Sequence, residues 1–139
     1  MAVRNGLAYL GVPGGVQVVD VSNPAEPKRV GFYPQEYGRV NAIALAGDKA
    51  YITAFNDFVV LDLIDPVSPE RLGGLPANGF DIAVENDTAF VATGGLTVVD
   101  VSNPISPTGK GWYWAPASAE DVFVAEPYAY LVVNRDDLH

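Results

Sequence analysis

Asp81 and Asp121, forty residues apart, and Glu120 beside the second are the side chains whose type and spacing could do chemistry in this chain. A pair of carboxylates can divide general acid and general base work, as in glycoside hydrolysis. It can also hold a hard cation such as Ca2+ through oxygen ligands, or focus a negative field on a cationic ligand. The competing reading is structural, each carboxylate accepting hydrogen bonds from loop amides, and it carries more weight. Asp20, Asp62 and Asp100 also recur, each just before a Pro-containing turn, and are read as accepting backbone hydrogen bonds that pin it. The remaining catalytic inventory is thin. The chain has no Cys, its single His is His139, and no Ser stands beside a base. Disulfides, thiolate metal sites and His-based triads are thereby excluded. No catalytic residue and no metal ligand set is assigned, and Ca2+ at the aspartates is the one cofactor considered.

The elements that must position these residues follow from composition and repetition. The 139 residues suffice for one domain, and 49% hydrophobic against 18% charged residues excludes a disordered tail. Gly 14 and Pro 11 suit strands joined by tight turns. With 17 acidic and 8 basic residues the net charge is −9, which repels nucleic acid and anionic membrane surfaces. No apolar run reaches the ~18–20 residues of a membrane span, and the N-terminus does not read as a signal peptide. Compartment is left open.

The dominant signal is internal repetition. D-x3-P-x2-P-x3-G occurs at Asp20, Pro24, Pro27, Gly31, again at Asp62, Pro66, Pro69, Gly73, and again at Asp100, Pro104, Pro107, Gly111. Ahead of it stand Ala8-Tyr9-Leu10, Ala50-Tyr51-Ile52, Ala89-Phe90-Val91 and Ala129-Tyr130-Leu131, spaced 42, 39 and 40 residues apart. In the second repeat, strands are expected at residues 42–45, 50–54, 58–63 and 71–75, and no helical apolar period competes. The third strand is apolar on both sides (Val18-Val19, Val60-Leu61, Val98-Val99), so it must be covered on both faces. Four short antiparallel strands in each ~40 residues make the unit of an all-β β-propeller.

Through VDVSNPAEP, LDLIDPVSP and VDVSNPISP, and through the AYL/AYI/AFV second strands, the chain resembles the LVIVD repeat family of β-propeller proteins over essentially its whole length. The resemblance implies the fold and no shared catalytic residues. Ala42 stands where the other repeats have Asp81 and Asp121, so any acidic ring at this position is incomplete.

One repeat domain, 1–139, is therefore expected, with blades at 1–33, 41–75 and 80–114 and a half-blade at 121–133. Closed propellers have about four to eight blades, so about three and a half leave two apolar end faces open. A homo-oligomer, a dimer first, is expected to complete the ring by head-to-tail joining. Both chain ends supply first and second strands, so one copy must be displaced, swapped or left as an extra layer. The alternative is a piece of a larger propeller.

Loops between strands two and three, and between blades, vary from repeat to repeat and share one face, where binding is expected. The candidates are Tyr37, Arg39, Asn41, Phe55, Asn56, Asp57 and Asn78, with Asp81, Glu120 and Asp121 at the channel mouth. Trp112, Tyr113 and Trp114 are expected to cover a gap between blades, or the unpaired half-blade after them, rather than to stack on a sugar or anchor a partner. The pairs Gly14-Gly15, Gly73-Gly74 and Gly94-Gly95 are expected to be hairpin glycines with positive φ. Function is read as a non-enzymatic scaffold binding a protein or small ligand through the loop-rich face and central channel. Its alternatives are a carboxylate- or Ca2+-dependent carbohydrate-active enzyme and a purely structural fragment.

Overall fold

The computed structural model describes residues 1–115 and 117–133, without the side chains of Glu36 and Tyr37. Leu138, where a further third strand is expected to begin, lies outside the described residues. Every described regular element is a strand: β1 (Ala2–Arg4), β2 (Leu7–Asp20), β3 (Lys28–Ala46), β4 (Lys49–Ala54), β5 (Asp57–Asp62), β6 (Glu70–Leu75), β7 (Asp81–Glu85), β8 (Thr88–Ala92), β9 (Gly95–Asp100), β10 (Thr108–Trp114), β11 (Ala119–Ala125) and β12 (Tyr128–Val133). They form a six-stranded sheet β1 to β6, a four-stranded sheet β7 to β10 and the hairpin β11-β12, with neighbours antiparallel.

The six-stranded sheet is two blades joined through their backbones. Extended, the 14 residues of β2 would span roughly 45 Å. Yet Val21 N, just past its end, donates to Gly6 O, just before its start, at 2.8 Å. The strand therefore doubles back, and it does so where Gly14 (φ 91) and Gly15 (φ 155) sit. The same closing bond recurs as Leu63 N to Asp48 O (2.8 Å) and Val101 N to Asp87 O (3.0 Å). β3 likewise serves two blades: its first part pairs with β2 and its last part with β4. We call residues 1–34 the first blade, 40–75 the second, β7–β10 the third, and β11-β12 the half-blade.

Turn chemistry acts as the repeat requires. Asp20 Oδ1 accepts from Ser22 N (2.9 Å) and Ser22 Oγ (2.6 Å), Asp62 Oδ1 from Ile64 N (2.9 Å), and Asp100 Oδ1 from Ser102 N (2.9 Å). The Ser22 hydroxyl and amide hold the Asp20 carboxyl below the ordinary carboxylate range. Asn23, Asp65 and Asn103 then accept from the amides of Ala25, Val67 and Ile105, closing Asx turns over each Asn/Asp-Pro step.

Each outer strand carries one β-bulge, leaving Val30, Leu72 and Lys110 unpaired against the third strand. The repeat glycine follows it. A Cβ on Gly31 would run into the backbone carbonyl of Val67, and one on Gly73 into that of Ile105, each on the Pro turn of the next blade. Gly111, the third copy, has nothing within 4 Å.

Two expectations are corrected. Gly14-Gly15 have positive φ, but Gly73-Gly74 and Gly94-Gly95 do not. Gly73 and Gly74 lie inside β6, and Gly73 is required by the close approach of a carbonyl rather than by a turn. Trp112, Tyr113 and Trp114 do not cover a gap: they are 75%, 60% and 73% exposed. β10 is an outer strand, and the half-blade brings no outer strands alongside it among the described residues.

The core lies between blades. Tyr9, Val16 and Val18 of the first pack against Val40, Ile52, Val59 and Leu61 of the second. Tyr51, Phe58 and Val60 of the second meet Ile82, Val91 and Val99 of the third. Phe90 and Leu96 of the third meet Val122, Val124 and Leu131 of the half-blade. Each blade thus presents a trailing face to the leading face of its successor, because alternate residues of a strand point to opposite sides.

Candidate functional site

The loops joining β4 to β5 and leading into each first strand share one face of the blades. Asn56 adopts φ 58 and turns the β4–β5 hairpin so that Asp57 opens β5. Asp57 Oδ2 accepts from Gln35 Nε2 at 2.9 Å and from Arg71 Nη1 at 3.3 Å. Gln35 is buried and comes from the bend of β3, whereas Arg71 comes from β6. Tyr33 sits beside them, its hydroxyl pKa raised mainly by burial and lowered in part by Arg71. Phe55, 59% exposed, walls a hollow of about 300 Å3 with Gln35, Asn56 and Asp57. The arrangement is an aromatic face next to a carboxylate held from two sides.

Arg39, Asn41 and Phe80 border a second hollow of about 400 Å3 with Met1, Gly11 and Val40. Asn41 Nδ2 donates to Gly79 O at 2.9 Å, tying the first strand of the second blade to the loop entering the third. Asn78 is exposed in that same loop. The side chain of Tyr37 lies outside the described residues.

Asp81 and Asp121 are brought together. Asp81 Oδ2 accepts from Val122 N at 3.0 Å, across from β7 to β11. Burial pushes the Asp81 carboxyl above the ordinary range, and its hydrogen bond with the Asp121 carboxyl pushes it further. The amides of Val122 and Ile82 oppose this. Glu120 is exposed beside them. Among the described residues no three carboxylate or imidazole groups gather as a metal-binding set.

A raised acid pKa has a definite stability consequence. The contribution is fully present below the unfolded-state pKa and is lost as pH rises through the folded value. Asp81→Asn keeps an acceptor for Val122 N and gains a donor toward Asp121. The variant is therefore expected to melt a few degrees higher than the parent at neutral pH, with the gap closing as pH falls through the raised Asp81 value. Thermal unfolding between acid and neutral pH checks this, and a variant that melts lower at neutral pH would contradict it.

Gln35, Arg71 and Phe80 were not singled out from the sequence. Gln35 falls within a variable loop, but nothing in its type announced that it would be buried against Asp57, and Arg71 reads as an outer-strand residue. On the opposite face, two further hollows lie between successive blades. One, of about 420 Å3, includes Arg4, Tyr9 and Pro66, and the other, of about 470 Å3, includes Lys49, Tyr51 and Pro104. Tyr9 Oη donates to Pro66 O at 2.8 Å across the first. These are seams of the repeat, formed by residues at matching repeat positions.

Antiparallel blades packed face to face, the first and second each locked to the next by a Pro turn over a glycine, define a β-propeller repeat protein. The LVIVD repeat model matches residues 1–34, 37–73, 78–114 and 116–139, and the chain belongs to the LVIVD repeat family. A search of curated proteins found no match. Among solved structures, the chain is similar to the N-terminal domain of Nup159, with TM-score 0.56 and 15% identity over 91% of this chain and 36% of that one. A Saccharomyces cerevisiae assembly of Dbp5, Nup159, Gle1, IP6 and ADP gives TM-score 0.56 and 15% identity over 90% of this chain and 35% of the matched one. The chain thus spans about a third of the length of these structures. At this identity the likeness shows the fold.

Proposed function

We propose that this chain is a non-enzymatic β-propeller scaffold that binds a protein or small ligand through its loop-rich face and central channel. The observation that carries the reading is the hollow at Phe55, where an exposed aromatic ring adjoins a carboxylate held by Gln35 and Arg71. Binding sites combine an apolar wall with a few oriented polar groups, and a pre-held carboxylate costs little ordering on binding. Arg39, Asn41 and Phe80 offer a similar mix of polar and aromatic groups at a second hollow. The Asp81–Asp121 pair supports this reading over a hydrolytic one. Glycosidase carboxylates stand about 5–9.5 Å apart, on either side of a sugar bond, whereas Asp121 acts directly on the Asp81 carboxyl, which is itself tied to the Val122 amide.

A displayed random-peptide library and a panel of soluble oligosaccharides serve as probes. A ligand selected on the parent chain is expected to bind at least tenfold more weakly to Phe55→Ala, as for an aromatic anchor, while far-UV circular dichroism is unchanged. The reading fails if no selected ligand depends on Phe55, Asp57 or Arg39. Turnover of an oligosaccharide that is abolished by Asp81→Asn would replace it with the enzymatic one.

A further inference from the structure

The repeat itself identifies a second interaction surface, separate from the loop-rich face. Three times within the chain, a trailing blade face is buried against the leading face of its successor. Two faces of these same kinds have no neighbour among the described residues. On the half-blade, Phe123, Tyr128, Tyr130 and Val132 point away from the third blade and are 66%, 65%, 55% and 58% exposed. Their rings form one cluster, Phe123–Tyr130 at 6.2 Å and Tyr128–Tyr130 at 6.5 Å between centroids. Tyr130 occupies the repeat position of Tyr9 and Tyr51, both buried on trailing faces. On the first blade, Val3, Leu10, Val19 and Val21 occupy the repeat positions of Leu45, Ile52, Leu61 and Leu63. The last three of those are at most 4% exposed on the second blade's leading face, yet Val3 is 57% exposed and Leu10, Val19 and Val21 are only half-buried.

We infer that the trailing face of the half-blade, centred on Tyr130, docks on the leading face of the first blade, centred on Val3 and Val19, of a second copy of this chain. The occupant is specified by the molecule's own junctions. A trailing face with an aromatic at this position is covered at the first two junctions by a leading face with aliphatics at those positions, and at the third by Val124 and Leu131 at the positions of Val3 and Leu10. The contact is heterologous, tail on head, so it can repeat or close into a ring. It requires no strand to be displaced, since it joins two sheet faces and leaves each hairpin paired as it is.

The test is solution mass of the parent chain by sedimentation across a range of micromolar concentrations, with Tyr130→Glu and Val3→Glu. Both substituted side chains are exposed, so each variant is expected to keep the parent circular dichroism spectrum, and Tyr128→Glu provides a second tail variant. The parent is expected to assemble beyond 14.8 kDa, as a closed species or a concentration-dependent series. Each variant alone is expected to be monomeric, and an equimolar mixture of the two to regain a heterodimer through its one intact seam. A parent that stays monomeric throughout would overturn the inference. So would assembly lost in only one of the two variants, which indicates tail-to-tail or head-to-head contact. Because Phe55 and Asp57 lie outside both faces, loss of the seam leaves the loop-face binding test unaffected.

Discussion

Replacing Phe58 by Ala is expected to destabilise the protein by about 3–5 kcal/mol, the range for a large aromatic removed from a core that cannot collapse around the void. Phe58 is 0% exposed, clustered with Tyr51 and Val60 of its own blade and Ile82 and Val91 of the next. Residues of β3, β4 and β5 on one side and of β7, β8 and β9 on the other form this cluster, so relaxation would require one blade to rotate toward the other. Phe55→Ala, three residues away on the exposed hairpin, is expected to change stability by no more than about 0.5 kcal/mol. Urea unfolding of the two variants makes the comparison. Similar costs would mean that inter-blade packing is not what holds the second and third blades together.

The repeat glycines should divide in a way their shared motif does not suggest. Gly31→Ala and Gly73→Ala each place a methyl against a backbone carbonyl of the next blade's Pro turn. A carbonyl cannot rotate away as a side chain can, so the blades must separate, at a cost of about 1–3 kcal/mol or more. Gly111→Ala meets nothing within 4 Å. There the general preference of a strand for Ala over Gly should prevail, stabilising by up to about 1 kcal/mol. Chemical denaturation of the three single variants reads the difference. Equal costs at all three would show that the motif glycine serves the local bulge and not the junction between blades.

These two predictions concern the same junction from its two ends. Phe58 fills the space between sheets, and Gly73 admits the turn that locks them. Gly111 is the same part in a junction whose covering turn is not among the described residues. The exposed Trp112 and Trp114 follow from that, since among the described residues no outer strands lie alongside β10 to bury them.

The strand content, the repeat length and the face-to-face stacking of blades were legible in the residues alone. Four ordered markers recur at near-constant spacing, and third strands apolar on both sides demand cover on both. The Asx turns and the pinning role of Asp20, Asp62 and Asp100 were legible too, because they join atoms only two residues apart. What only tertiary structure decided are the contacts between elements far apart in the chain. Local pattern gives no distance between Gln35 and Asp57, or between Asp81 and Asp121. It could not tell that Gly73 faces a carbonyl while Gly111 faces open space, since identical motifs sit in different surroundings. Local hydrogen bonds and periodicity are functions of sequence separation, whereas burial and charge coupling depend on which distant surfaces the blades bring together.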